Sequence, residues 1–108
     1  MEQYKIVLES QLGPREGVLQ LKDQNGVLTG TITLLGHENP VSGEWIGDHS
    51  FQVSHHLRTR ICDLSCVSVF CLEEDAITGT LQSGRNVMKW HGKKEAGMKG
   101  GNAENGAE

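Results

Sequence analysis

The sequence predicts an all-β protein: an antiparallel up-and-down meander of about eight short strands, forming a small closed or nearly closed barrel. Three observations predict it. Apolar and polar residues alternate with a period of two over most of residues 3–92, as in strands with one face turned inward. Glycine, at 14 of 108 residues, clusters with Asn, Asp and Ser between those runs, where tight turns belong. No long segment carries the 3.6-residue apolar period of a helix.

The elements follow in order. Residues 3–10 form the first strand, with Tyr4, Ile6 and Leu8 inward, and Leu12-Gly13-Pro14 turns the chain. Residues 16–22 form the second, with Leu19 and Leu21 inward. Asn25-Gly26 then makes a hairpin, because both residues accept positive φ. The third strand alternates Leu28, Gly30, Ile32 and Leu34 with a row of threonines. Gly36-His37-Glu38-Asn39-Pro40 breaks the chain. Pro40, lacking an N–H, is expected in that turn or at a strand start. Val41, Gly43, Trp45 and Gly47 line the fourth strand. Phe51, Val53, His55 and Leu57 line the fifth, which runs on toward Arg60. Residues 61–72 are apolar on both faces, 76–83 form the seventh strand after the Glu73-Glu74-Asp75 turn, and 87–92 form the eighth after Ser83-Gly84-Arg85-Asn86. The domain is thus residues 1–92. Residues 93–108, with almost nothing to bury and three Lys balanced by three Glu, are expected to be a disordered tail.

One motif recurs. Leu28-Thr29-Gly30-Thr31-Ile32 is matched by Ile77-Thr78-Gly79-Thr80-Leu81, and Gly43-Glu44-Trp45-Ile46-Gly47 by Met88-Lys89-Trp90-His91-Gly92. We read a degenerate repeat of one hairpin, with spacing too irregular for a solenoid. The plainer reading is that two strands of one sheet meet the same packing demand. The inward glycines Gly30, Gly43 and Gly79 mark bends or close backbone approaches, which suit a meander that closes into a barrel. An open sheet or sandwich that dimerises is the alternative.

A formal charge of −4, and no basic cluster beyond Lys93-Lys94, argue against nucleic acid as a partner. No apolar run reaches the length of a membrane span, so no membrane is expected. The N-terminus reads directly as a strand and lacks the parts of a secretion signal, which makes a cytoplasmic location the default. The three cysteines, Cys62, Cys66 and Cys71, are expected as free thiols. In a continuous strand Cys62 and Cys66 lie about 13 Å apart, beyond the ~7 Å a disulfide spans, and Cys71 points to the other face.

The Gly26–Thr31, Gly43–Gly47 and Ile77–Leu81 motifs resemble the strand-and-turn style of the calycins, the avidin and lipocalin group. That resemblance covers residues 3–92. It implies an up-and-down barrel that takes a small apolar ligand in its mouth, and it transfers no binding residue, since the Gly-x-Trp of lipocalins near the N-terminus is missing.

The candidate ligand-binding residues are Trp45, Phe51, His55, Arg58 and Trp90. The two tryptophans follow the two copies of the motif and could flank one apolar space, with Arg58 or His55 as a polar anchor for an acidic ligand. Against this stands the plainer role of aromatics as core. Ile61, Val67, Val69 and Cys71 form the second apolar face of residues 61–72, and a second copy of the chain is its expected cover. No cofactor or metal is expected. His55 and His56 point to opposite faces of a strand, and Cys-x3-Cys-x4-Cys fits no zinc pattern. No phosphate loop, nucleophile elbow or zincin motif occurs, and thiols in an apolar strand are inert, so an enzyme is the weakest reading. The function expected is binding of a small apolar or amphipathic ligand. The alternative is a non-enzymatic interaction protein with a packed barrel that homodimerises through 61–72.

Overall fold

The chain runs through eight strands: β1 (Glu2–Ser10), β2 (Gly13–Gln24), β3 (Val27–Leu34), β4 (His37–Trp45), β5 (Ser50–Arg58), β6 (Asp63–Glu73), β7 (Ala76–Ser83) and β8 (Asn86–Lys94). The structure, a computed structural model, describes residues 2–58 and 63–95. Each strand pairs antiparallel with the next and β8 pairs with β1, so the sheet closes into a barrel with no free edge. β8 runs two residues further than expected, and the Glu95 amide bonds the Gln3 carbonyl. The rest of the expected tail, residues 96–108, lies outside the described residues.

Local chemistry explains the turns. Asn25 (φ 59°) and Gly26 (φ 88°) are both left-handed, as a two-residue hairpin turn requires. The next hairpin turns at Leu35-Gly36, also left-handed at φ 55° and 79°, and not over the longer break expected at residues 36–40. Pro40 therefore sits inside β4, opposite Thr31 of β3, and not in a turn. Its missing N–H falls where the sheet loosens. β4 pairs with β3 from His37 to Glu44 but with β5 only from Val41 to Trp45.

The repeat proves larger than one hairpin. Gly30 and Gly79, Gly43 and Gly92, and the turn residues Asn25 and Glu74 are all 49 residues apart (30 to 79, 43 to 92, 25 to 74). Pairing registers obey the same offset: Leu21 faces Gly30 as Phe70 faces Gly79, and Leu28 faces Gly43 as Ile77 faces Gly92. The barrel is thus two equivalent four-stranded units, β1–β4 and β5–β8. Their seams differ by two residues. Gly43 faces Val53, whose equivalent is Tyr4, yet Gly92 faces Ile6. Trp45 and Trp90 are not equivalent in this alignment; Trp90 takes the place of Val41.

The glycines do the closing. A Cβ on Gly30 would overlap the Gln20 carbonyl, and one on Gly43 the Gln52 carbonyl. Neighbouring backbones cross there at contact distance, which lets long strands bend around a small barrel. The interior is filled. Leu19, Ile32, Phe51, Val53, Phe70, Ile77 and Leu81 are fully buried. A run of rings crosses it: Trp45 on Phe51 (centroids 5.5 Å), Phe51 on Phe70 (5.2 Å) and Phe70 on Trp90 (5.7 Å).

Candidate ligand-binding site

Filling the middle pushes open space to the two ends. One end carries the β1–β2, β3–β4 and β7–β8 turns. There the inward faces end on Leu8, Leu34 and Leu57, all buried, with Leu64 and Met88 beside them. These line a mostly apolar mouth of about 250 Å³. Its rim is aliphatic too: Leu12 is 83% exposed, Val87 61% and Leu35 46%. The charged residue in the lining is Arg15, half-buried on β2, whose Nη1 donates to the Pro14 carbonyl at 3.3 Å.

The other end holds the N-terminus of β1 and the end of β8. A depression of about 320 Å³ is lined there by Tyr4, Leu21, Leu28, Trp45 and Leu72, with Glu2, Asp23 and Lys94. Its polar groups are already engaged. Trp45 Nε1 donates to Asp23 Oδ2 at 2.9 Å, and Lys94 Nζ lies 2.7 Å from Glu2 Oε1. That bond to Glu2 holds the Lys94 ammonium above its ordinary pKa, and burial followed by the Glu2 charge pushes the Tyr4 phenol up.

The residues expected at the site spread across these regions. Phe51, His55 and Trp90 are in the core, and Trp45 closes the second end. Arg58 stands on the outer face of β5, 3.8 Å from Asp63, which also accepts from or pairs with His56 Nδ1 at 2.9 Å. His55 joins a buried network instead. Trp90 Nε1 donates to Ser68 Oγ at 3.0 Å, and Ser68 Oγ lies 2.8 Å from His55 Nε2. Burial holds the His55 pKa below its ordinary value, so the ring is neutral near pH 7. The complete pairing has the serine hydroxyl donating to Nε2, with the imidazole proton on Nδ1 toward the His56 carbonyl at 3.4 Å. His91 is outside the barrel, on Glu9, so it shares no site with His55. Cys66 is buried and its thiol is pushed up by desolvation, while Cys71 is half-buried on the outer wall; both are free thiols.

Of the expected interface, Val67 is 40% exposed on the outside of β6, with Val69 half-buried beside it, and Ile61 lies outside the described residues. A groove of about 520 Å³ runs along this wall, where β4 parts from β5, lined by Pro40, Ser42, Ser54, His56, Ser65 and Val67 among others. The leucine mouth was not among the expected sites. Its signal was present in the sequence: Leu12 and Leu35 are aliphatic residues in turns, where nothing in the fold buries them.

No protein-family model matches this chain. No curated protein matches it either. Among solved structures, the barrel is similar to apo lipid binding protein 8 of Caenorhabditis elegans. The match has a TM-score of 0.56 at 14% identity and covers 86% of this chain and 93% of that one. At that identity the likeness establishes the fold alone. The closed eight-stranded meander and this neighbour agree with the calycin-type architecture read from the strand motifs.

Proposed function

We propose that this chain is a non-enzymatic binding barrel, free in the cytoplasm, that takes a small apolar or amphipathic ligand in the leucine mouth. The observation that carries this reading is the mouth itself. It is an open apolar pocket with one cation, Arg15, in its lining, next to a filled interior that leaves no deeper room. Leu8, Leu34, Leu57 and Leu64 would hold an aliphatic segment, and Arg15 an acidic head, with Arg58 further out at the same end. The C. elegans neighbour is a lipid binding protein by name, which favours the same ligand class. Trp45, Phe51, His55 and Trp90 serve this function as the packed support behind the mouth.

The test is fluorescence titration with 11-dansyl-undecanoate. Emission rises on binding to the wild-type chain, and Leu64→Gln with Leu12→Gln abolishes the rise while both variants keep their circular dichroism. No change in emission with the wild-type chain would overturn the proposal.

A second reading has Val67 in its favour: this exposed residue on an otherwise half-buried apolar strip is where a second copy would dock. Sedimentation of wild type against Val67→Lys decides it, a dimer lost in the variant being the supporting result.

A further inference from the structure

The leucine-mouth end is built for more than a small molecule. Its aliphatic rim does not face the pocket alone; Leu12, Leu35 and Val87 stand out from three separate turns or strand starts. Leu35 is held there against local preference. It is left-handed, where a side chain with Cβ is disfavoured, and its equivalent in the second unit, 49 residues on (35 to 84), is Gly84 in the same conformation. A leucine kept in a glycine's place, and left 46% exposed, contributes little to the barrel's own packing.

Charge is sorted between the two ends. Three of the chain's four arginines, Arg15, Arg58 and Arg85, lie at the leucine end. The acids at that end are compensated or set back. Asp63 is held by Arg58 and His56, Glu9 by His91, and Glu16 and Glu38 stand on the outer wall. The other end gathers Glu2, Asp23, Asp48, Glu73, Glu74 and Asp75 against Lys22, Lys93 and Lys94. A chain of net charge −4 thus presents a cationic, aliphatic-tipped face.

We infer that this end docks onto an anionic lipid surface, with Leu12, Leu35 and Val87 entering the headgroup boundary and Arg15, Arg58 and Arg85 lying among the phosphates. Single aliphatic tips on a convex ring of turns fit a fluid surface better than a shaped protein pocket. A second copy docked face to face would set arginines against arginines. Arginine suits the role because its stem lies along apolar surface while its guanidinium reaches phosphate. No spanning segment is needed; the contact is peripheral, as apolar tips plus cations give for interfacial proteins. The inference is independent of whether the mouth holds a ligand, although docking there would open the pocket toward lipid.

The test is co-flotation of the full chain with vesicles of phosphatidylglycerol and phosphatidylcholine against vesicles of phosphatidylcholine alone. Binding is expected to the anionic vesicles and to weaken with salt. Arg58→Gln with Arg85→Gln should lower it about 25-fold, roughly fivefold per arginine. Leu12→Ser should lower it about tenfold or more. Lys22→Gln with Lys93→Gln, at the other end, should leave it unchanged. All four positions are exposed, and circular dichroism verifies the fold. Equal binding to both vesicles, no binding, or a loss from the lysine variant overturns the inference. So does sedimentation showing that Leu12→Ser dissolves an oligomer, which would assign the face to a second copy. Vesicle binding without a response to dansyl-undecanoate would sink the mouth pocket and leave this surface standing.

Discussion

The two four-stranded units share a backbone and differ in what they bury. Gly30 and Gly79, Gly43 and Gly92, and the left-handed turn residues recur at a constant offset. The inward side chains do not. His55, Ser68 and Trp90 of the second unit stand where the first has Ile6, Leu19 and Val41. Barrel closure is thus set by where the chain can bend and cross, a demand both units meet alike. The fill is free to diverge as long as volume and hydrogen bonds are kept. In the second unit the fill is a polar network, His55–Ser68–Trp90, inside an apolar barrel.

The largest effects should come from what the units share. Gly30→Ala and Gly79→Ala each force a Cβ into a neighbouring backbone, and each should cost about 3 kcal/mol or more, the upper range for overpacking. Urea denaturation of both variants would check this, and a mild effect at one position would break the equivalence. Next come the differences. Ser68→Ala strips partners from the Trp90 indole and the His55 ring together and should cost about 3 kcal/mol in the same assay. The triple change His55→Ile, Ser68→Leu and Trp90→Val imports the first unit's solution. It roughly conserves core volume and removes the buried polar groups, so it should lose less than Ser68→Ala alone.

The same network gives the second unit a pH dependence the first lacks. His55 has a folded pKa below its unfolded value of about 6.5, so protonation favours the unfolded chain. Its contribution is present above pH ~6.5 and is lost as pH falls below that, at no more than about 1.4 kcal/mol per pH unit. Stability measured from pH 7.5 to 5 should fall less steeply in His55→Ile than in wild type. The smallest effect belongs to Leu35. Leu35→Gly copies Gly84 and relieves a left-handed leucine, so stability should rise by up to about 1 kcal/mol.

The comparison also explains what the sequence could tell. Alternation along Leu28–Leu34 and Phe51–Leu57, with Asn25-Gly26 between strands, made the meander legible, because a period of two and a left-handed turn are local demands. Pro40 misled, since a strand that parts from its neighbour can carry a proline inside it. Matching Trp45 to Trp90 misled more. The true register pairs Gly43 with Gly92, and only the cross-strand pairing of Leu28 and Ile77 reveals it. The mouth was hidden for a related reason. Leu8, Leu34, Leu57 and Leu64 come together only when β8 closes on β1, and nothing in their spacing along the chain announces it.

The most direct test of the ligand-binding account is a methyl NMR titration of the leucine-labelled chain with decanoate. Shifts confined to Leu8, Leu12, Leu34, Leu35, Leu57 and Leu64, with Leu19, Leu28 and Leu81 unmoved, are the expected result. Shifts centred on Leu19 and Leu81 would place the ligand inside a barrel that must first empty itself, and would contradict it.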